Sequence, residues 1–258
     1  MTQTLTRVID IALGAGEVVL ARYGKKSLGV QDKLDGSPVT DADIAADGFI
    51  RQELAETWPF PVLSEEGEEV PWEERKRWTR FWLVDPLDGT KDFLAGTGEF
   101  CVNIALIEGG QPKVAVIAAP ISGLVWAAEL GRGAIKHDGN RAVLTKGVRS
   151  SGPTVGLKSR FHAPPEADAY LSKVQLDEVR SMGSALKFGL IADGVADLIV
   201  SYSKSKAWDI AGGHLIATES GARIAQIAGG GPPSYAKEDL TNPPFVVGSP
   251  RIWERLPV

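Results

Sequence analysis

The stretch from Trp82 to Phe93 reads WLVDPLDGTKDF, and it places two carboxylates three residues apart directly after an apolar run. Residues 81–84 are aromatic or branched aliphatic, which predicts a short buried strand. The proline between the two aspartates favours extended backbone before it, and the glycine after them permits a tight turn. Asp85 and Asp88 are therefore predicted at the carboxyl end of a strand, where the ligand crevices of α/β sheets lie.

The residue types in this stretch suit a hard divalent cation. Mg²⁺ prefers oxygen ligands, and Asp85, Asp88 and the carbonyl of Leu87 can supply three of them. Thr90 is predicted to open a short helix whose first N–H groups can hold a phosphate oxygen. In isolation, the same segment is also compatible with an ordinary turn at Asp88 and a capping role for Asp85. Other segments of the chain have to decide between these two interpretations.

The composition restricts the class of protein. With 258 residues, of which 43% are hydrophobic, the chain can bury a large core as one domain or as two closely packed halves. A formal net charge of −5 provides no basic footprint for a nucleic-acid polymer. Cys101 is the one cysteine, so no disulfide framework is expected, which is typical of a reducing compartment. Residues 1–24 resemble neither a signal peptide nor a membrane span, so we expect a cytoplasmic protein without an integral membrane segment, and peripheral membrane association is left open.

The segments before the aspartate stretch predict further acidic side chains at the ends of regular elements. Thr40 is a good N-cap, which places Asp41 and Asp43 in the first turn of a helix. A short apolar run then predicts a strand that ends just before Glu65. The predicted elements are a helix over residues 5–23, a polar stretch over residues 24–38, a helix from residue 41 and a strand over residues 60–63.

The segments after the aspartate stretch predict an antiparallel sheet followed by alternating strands and helices. A final helix is predicted to carry Asp209 at its start and to end before Gly221. The predicted strands cover residues 100–108, 113–119, 124–129, 154–157, 178–181, 197–202 and 245–247, the predicted helices residues 166–173, 184–192 and 209–220, and a polar turn-rich region residues 131–152. This order predicts a layered α/β arrangement with antiparallel character.

Four short motifs occur in a fixed order along the chain. They are TDAD at residues 40–43, SEE at residues 64–66, DPLDGT at residues 85–90 and WDIAGG at residues 208–213. This ordered set resembles the Mg²⁺-dependent, lithium-sensitive phosphatases of the inositol monophosphatase superfamily, and the resemblance covers about residues 35 to 225. The turn interpretation of the aspartate stretch is no longer favoured once the four motifs are taken together.

The resemblance implies a fold and a set of site residues. The fold is an α/β one with α+β character, the layered αβαβα sandwich of the inositol monophosphatase and fructose-1,6-bisphosphatase type. Residues 1–258 would form a single phosphatase domain, with an N-terminal metal-binding half over about 1–150 and a C-terminal α/β half over about 151–258. Family members are often homodimers. By resemblance, two or three Mg²⁺ ions would be held by Glu65, Asp85, the Leu87 carbonyl, Asp88 and Asp209, and Asp43 with Thr90 would orient and deprotonate the attacking water.

Three flanking segments are similar to the 3′(2′),5′-bisphosphate nucleotidases within this superfamily. They are residues 88–106 with DGTKDF and GEFCVNIAL, residues 159–162 with SRFH, and residues 183–188 with GSALKF. Two positions depart from the pattern of that group: Asp92 stands where glutamate is frequent, and Gly212 where alanine is usual. Neither departure removes an expected metal ligand.

The similarity implies an activity and a substrate. The expected enzyme is a Mg²⁺-dependent phosphomonoesterase that removes the 3′-phosphate of adenosine 3′,5′-bisphosphate by attack of an activated water, and a phosphorylated nucleotide is its expected small-molecule partner. Arg160 is a further candidate, because a guanidinium fork suits the second phosphate. Two alternatives are an inositol or sugar-phosphate phosphatase and a metal- or nucleotide-binding module that has lost catalysis. The substrate contacts implied by similarity are Glu65, Leu87, Asp88, Gly89, Thr90, His162, Gly183, Lys187 and Asp209.

Overall fold

The computed structural model describes residues 1–25, 29–32, 38–139, 141–147 and 151–257. In chain order its elements are α1 Gln3–Leu20, β1 Gln31–Asp32, β2 Pro38–Val39, α2 Asp41–Thr57, β3 Val62–Ser64, α3 Trp72–Arg75, β4 Arg80–Asp88, α4 Thr90–Ala95, β5 Cys101–Glu108, β6 Gln111–Ala119, β7 Leu124–Glu129, β8 Ala134–His137, β9 Ala142–Leu144, β10 Val155–Ser159, α5 Pro165–Leu171, β11 Glu178–Met182, α6 Leu186–Ala192, β12 Leu198–Ser201, α7 Ala207–Glu219, β13 Arg223–Gln226, β14 Phe245–Gly248 and a 3₁₀ turn at Trp253–Arg255. None of these helices is both long and apolar enough to cross a bilayer.

The larger sheet has seven strands in the order β3-β4-β5-β6-β7-β8-β9. Strand β3 runs parallel to β4, and every later pair is antiparallel. The register between β4 and β5 shifts between Asp85 and Asp88, where the proline removes a backbone donor from the ladder. The predicted strand therefore ends in an irregular segment that carries both aspartates.

Side chains of β4 alternate between the two faces of this sheet. Trp82 and Val84 pack against α1 and α2 through a cluster that includes Leu5 and Ile50. The intervening Leu83 belongs to the cluster on the other face. Because both faces of the sheet are covered there, residues 81–84 of β4 are all apolar and buried, as their sequence predicts.

The smaller sheet has five strands in the order β11-β10-β12-β14-β13. Strand β10 is parallel to both of its neighbours, whereas β14 is antiparallel to β12 and to β13. Helices α6 and α7 lie between the two sheets: Ile191 and Ile210 share one core cluster with Leu83 of the larger sheet and Ile199 of the smaller one. Tyr170 of α5 packs on the outer face of the smaller sheet. The layers are therefore α1/α2, large sheet, α6/α7, small sheet and α5, which confirms the predicted αβαβα sandwich.

Several elements differ from the sequence prediction. Strands β8 and β9 lie in the region from 131 to 152 that the sequence describes as turn-rich, and all three residues of β9 are exposed at the sheet edge, so no burial pattern marks them. Strand β13 was also not predicted. The helix predicted from residue 184 begins at Leu186, because Ser184 has a left-handed φ of 51°. Residues 26–28 and 33–37 of the polar stretch and residues 148–150 lie outside the described ranges.

Candidate metal and phosphate site

A cleft of about 830 Å³ lies where the two halves of the chain meet. Its walls come from the end of β4, the start of α4, the segments that follow β10, β11 and β12, and the first turn of α7. The residues predicted from the sequence that line it are Glu65, Asp85, Leu87, Asp88, Gly89, Thr90, His162, Gly183, Lys187 and Asp209. Asp43 does not line the cleft but hydrogen-bonds Thr90, which does.

Three carboxylates converge on one side of the cleft. Ligand oxygens of Glu65, Asp85 and Asp209 all lie within 4.8 Å of one another. Glu65 directly follows β3, where its N–H donates to the carbonyl of Val84 at 3.1 Å, and Asp85 is the next residue along β4. Asp209 is the third residue of α7 and accepts from the N–H of Lys206 at 2.8 Å. The parallel pairing of β3 with β4 thus places two acids side by side, and α7 delivers the third.

The charges of this cluster are unfavourable without a cation. Burial raises the pKa of Asp85 well above its ordinary value, and the negative charges of Glu65, Asp88 and Asp209 raise it further. The pKa of Asp209 is also raised well above its ordinary value, first by desolvation in the cleft and then by Glu65 and Asp88. Oxygen-only donors that repel one another at this distance fit a hard divalent cation such as Mg²⁺.

Asp88 is held through one of its two oxygens. Oδ2 accepts from the N–H of Ala185 at 2.5 Å and from Nδ2 of Asn103 at 3.2 Å, and Sγ of Cys101 lies 3.8 Å from it. Burial raises the pKa of Asp88 to about 6, although the positive charge of Lys187 opposes this shift. Because the three contacts fall on the same oxygen, they fix the direction in which the other oxygen points.

The turn after β4 connects the acidic cluster to α4. The N–H of Leu87 donates to Oδ1 of Asp85 at 3.1 Å, and the carbonyl of Leu87 accepts from the hydroxyl of Thr90 at 3.2 Å. Gly89 precedes α4 with φ of 97°, a left-handed conformation that glycine adopts without strain. A Cβ at Gly89 would also lie 3.0 Å from the carbonyl oxygen of Glu99.

Thr90 and Asp43 form a pair although 47 residues separate them. The hydroxyl of Thr90 donates to Oδ1 of Asp43 at 3.1 Å. Oδ2 of Asp43 accepts from the N–H and the hydroxyl of Thr40, at 2.8 and 2.6 Å, as part of the capping box of α2. Burial raises the pKa of Asp43, and the hydrogen bonds from Thr40 and Thr90 partly offset this effect.

Two lysines and a histidine line the cleft together with the acidic cluster. Nζ of Lys187 donates to the carbonyls of Met182 and Ser184, at 3.3 and 2.5 Å, and partial burial lowers the pKa of Lys187 although Asp88 raises it. Nζ of Lys91 lies 2.9 Å from Nε2 of His162. Since an ammonium group can only donate, Nε2 of His162 is the acceptor. Desolvation, Lys91 and Lys187 all lower the pKa of His162.

Arg160 and Gly183 both contact the carboxylate of Glu99. The guanidinium of Arg160 pairs with Glu99 at 2.6 Å and with Asp92 at 3.3 Å, so it is occupied by two carboxylates. This arrangement does not favour the role at a second phosphate that was expected of Arg160. The N–H of Gly183 donates to Oε2 of Glu99 at 2.8 Å, and a Cβ there would lie 2.2 Å from Oδ2 of Asp92. Packing against Asp92 therefore requires glycine at position 183.

Comparison with known proteins decides the family. The family model described as the inositol monophosphatase family matches residues 1–256. The chain belongs to this family. Among its relatives, the 3′(2′),5′-bisphosphate nucleotidase CysQ of Escherichia coli strain K12 is 40% identical over 94% of this chain and 98% of its own. The protein of the same name from Haemophilus influenzae is 34% identical over 94% of this chain and 91% of its own.

Two solved structures have the same fold as this chain. CysQ from Bacteroides thetaiotaomicron aligns with a TM-score of 0.84 at 36% identity and covers 95% of this chain and 97% of that one. The extragenic suppressor protein suhB from Bartonella henselae aligns with a TM-score of 0.81 at 27% identity and covers 97% of this chain and 95% of that one. The acidic cluster described here is thus built on the fold of this family.

Some residues of the cleft were not singled out from the sequence as site residues. They are Lys91, Phe161, Lys204 and Lys206, which line the cleft, and Asn103, which contacts Asp88. Lys91 and Asn103 lie inside the family segments quoted above, so these segments could have identified them as site residues. Lys204 and Lys206 directly precede α7, and nothing in their local sequence shows that they face the cleft. Trp208 lines the cleft, consistent with a packing role at the site wall.

Proposed function

We propose that this protein is a Mg²⁺-dependent phosphomonoesterase that removes the 3′-phosphate of adenosine 3′,5′-bisphosphate and yields AMP and phosphate. The observation that carries the proposal is the position of the carboxylate cluster and of Lys91, His162 and Lys187 in one cleft. A substrate with two phosphate groups needs a metal site for one and positive charge for the other. The bisphosphate nucleotidases at 40% identity over 94% of the chain support the same substrate class.

The proposed metal ligands are the oxygen donors at the acidic end of the cleft. They are Glu65, Asp85, the carbonyl of Leu87, Asp88 and Asp209, and we propose two or three Mg²⁺ ions. When bound, Mg²⁺ neutralises phosphate charge, lowers the pKa of water and stabilises the leaving oxygen. Asn103 and the N–H of Ala185 hold Oδ2 of Asp88, and they thereby orient this ligand.

The proposed base is the Asp43–Thr90 pair. Because Thr90 donates its own proton to Oδ1 of Asp43, its oxygen can accept a hydrogen bond from the attacking water. The proton of the water then moves to Thr90 Oγ1 as the proton of Thr90 moves to Oδ1 of Asp43. A raised pKa makes Asp43 a better proton acceptor than an ordinary aspartate. The bonds from Thr40 keep Oδ1 directed at Thr90 throughout.

The remaining proposed contacts position the substrate. The backbone of Gly89 and Thr90 at the start of α4 can hold oxygens of the scissile phosphate, next to Asp88. Lys187 and Lys91 line the same cleft and would supply positive charge to a second phosphate, and His162 beside Lys91 is a further proposed substrate contact. The full set of proposed substrate contacts is Glu65, Leu87, Asp88, Gly89, Thr90, His162, Gly183, Lys187 and Asp209.

Other expectations from the sequence stay predictions. They are a cytoplasmic location, a homodimer, and a single domain with a metal-binding half up to about residue 150. Light scattering of the purified protein tests the dimer, and cell fractionation tests the location.

The proposed function is tested by phosphate release from three compounds in parallel, each with Mg²⁺ and with EDTA. They are adenosine 3′,5′-bisphosphate, 5′-AMP and inositol 1-phosphate. We expect Mg²⁺-dependent hydrolysis of the bisphosphate and none of 5′-AMP, because only the former carries the 3′-phosphate. A preference for inositol 1-phosphate would leave the metal site in place and would replace the proposed substrate with a sugar phosphate. Equal release in EDTA would contradict the proposed chemistry.

A further inference from the structure

Phe161 is exposed in a way that is unusual in this protein. Its side chain is 46% exposed, and among the large hydrophobic residues exposed in the described ranges it is the one aromatic. The other aromatic rings in these ranges are buried or partly buried. A single exposed apolar residue is ordinary on a protein surface, so what distinguishes Phe161 is its position.

The exposed ring lies at the substrate cleft. Phe161 lines the cleft together with the apolar residues Ala163 and Pro164 that follow in the chain. The next residue, His162, contacts Lys91 and is influenced by the charge of Lys187. Burial raises the pKa of Asp88, and the positive charge of Lys187 in turn lowers it. The lining of the cleft therefore contains an acidic cluster, basic side chains and an apolar part that includes Phe161.

The segment that carries Phe161 is held on both sides. The N–H of Arg160 donates to the carbonyl of Met182 at 3.2 Å, and its guanidinium pairs with Glu99 and Asp92. The N–H of His162 donates to the hydroxyl of Ser159 at 3.2 Å. Arg160 thus anchors the loop, and the neighbouring ring is exposed in a loop whose conformation these contacts hold.

We propose that Phe161 stacks on the nucleobase of the substrate and so selects nucleotides over base-free phosphates. The role assigned to Phe161 rests on the proposed nucleotidase function and adds the contact to the base. A planar base presents an apolar π-face, and stacking of such a face on an aromatic side chain is favourable for every base. The lining of the cleft suits such a substrate, because it holds carboxylates for a metal, lysines for phosphate and the apolar residues Phe161, Ala163 and Pro164 for a base.

The test compares two substrates on matched variants. The substrates are adenosine 3′,5′-bisphosphate and an analogue in which hydrogen replaces the base at C1′. The variants are Phe161→Ala, Phe161→Tyr, which keeps an aromatic face, and Val179→Ala as a control. Val179 is equally exposed, at 46%, and lies on β11 outside the cleft lining. Thermal midpoints are measured on all variants to compare their folding.

We expect Phe161→Ala to raise KM for the nucleotide about tenfold with kcat changed less than about twofold, because stacking contributes to binding and not to the chemical step. The abasic analogue should be hydrolysed equally well by all variants, and Phe161→Tyr should resemble the wild type. An equal loss on both substrates, or no change on either, would overturn the role of Phe161. If the wild type releases no phosphate from the nucleotide, the proposed function fails first, and that result differs from a failure confined to the variants.

Discussion

The hydroxyl of Thr90 lies 3.1 Å from Oδ1 of Asp43, while Oδ2 of the same carboxylate caps helix α2 through Thr40. The two oxygens of Asp43 thus have different partners: Oδ1 accepts from Thr90, and Oδ2 accepts from Thr40. The capping bonds fix the side chain so that the oxygen facing Thr90 cannot turn away without breaking the helix start. The start of α2 and the start of α4 are thereby joined at the proposed base.

Asp43→Asn should lower kcat about 10²- to 10⁴-fold, because an amide cannot take up the proton that Thr90 passes on. Steady-state kinetics with saturating Mg²⁺ measures this effect. Asp41→Asn is the matched control, since Asp41 lies in the same helical turn and is exposed. A variant Asp43→Asn with wild-type turnover would contradict the proposed base.

The role of the Thr90 hydroxyl can be tested separately from the role of the branched shape of the Thr90 side chain. Thr90→Val removes the hydroxyl and keeps the branched side chain, so kcat should fall as in Asp43→Asn. Thr90→Ser retains the hydroxyl and should retain most of the activity. Similar losses for both substitutions would mean that packing, and not proton transfer, depends on Thr90.

The metal-free protein should lose stability as the pH rises. Burial raises the pKa of Asp88 from 3.8 to about 6, so between these values the folded state binds more protons than the unfolded state. Stability from protonation is therefore present at low pH and is lost as the pH rises through about 6. Asp85 and Asp209 are shifted in the same direction.

Urea unfolding in EDTA at about pH 5 and about pH 7.5 measures this change. Asp88→Asn should flatten the dependence, because the amide does not titrate. Mg²⁺ should stabilise the wild type more at the higher pH, where the carboxylates are ionised. Stability in EDTA that increases over this interval would contradict the repulsive cluster.

Asn103→Ala should raise the Mg²⁺ concentration needed for half-maximal activity about 10- to 100-fold, because the loss of a group that orients a metal ligand has effects of this size. Isothermal titration with Mg²⁺ gives the same comparison without turnover. Cys101→Ala is the control: its sulfur is 3.8 Å from the same oxygen of Asp88 and is a weak donor, so the effect should be smaller. Equal effects would contradict the orienting role of Asn103.

Gly183→Ala should destabilise the protein by about 1–3 kcal/mol, because the added methyl group enters a filled space. It would lie 2.2 Å from Oδ2 of Asp92 and 2.8 Å from the carbonyl of Glu99. Urea unfolding measures the change. Gly231→Ala is the control, since no heavy atom lies within 4 Å of a Cβ built there. If both substitutions have the same small effect on stability, the space around Gly183 can accommodate a methyl group, and the prediction is wrong.

Millimolar LiCl should inhibit hydrolysis of the bisphosphate, because a small monovalent ion that occupies a Mg²⁺ position supplies less charge to stabilise the transition state. Phosphate release is measured at fixed Mg²⁺ with LiCl and, as the control for ionic strength, with KCl. An equal response to both salts would argue against the proposed metal arrangement.

The sequence by itself determined the proximity of Asp85 and Asp88 and most of the layers. Asp85 and Asp88 lie within four residues of one another, so the local backbone of the strand end and of the turn at Gly89 fixes them together. The alternation along β4 and the N-cap at Thr40 are equally local, because they depend on periodicity and on side chains that bond their own backbone.

Only the tertiary structure decided which distant groups these residues meet. Asp88 is held by Ala185 and Asn103, and Arg160 is paired with Asp92 and Glu99, although each of these residues alone could have taken other partners. The edge strand β9 has no burial pattern and is fixed by its pairing with β8. Contacts of this kind depend on how segments far apart in the chain pack in three dimensions, and local patterns in the sequence do not contain that information.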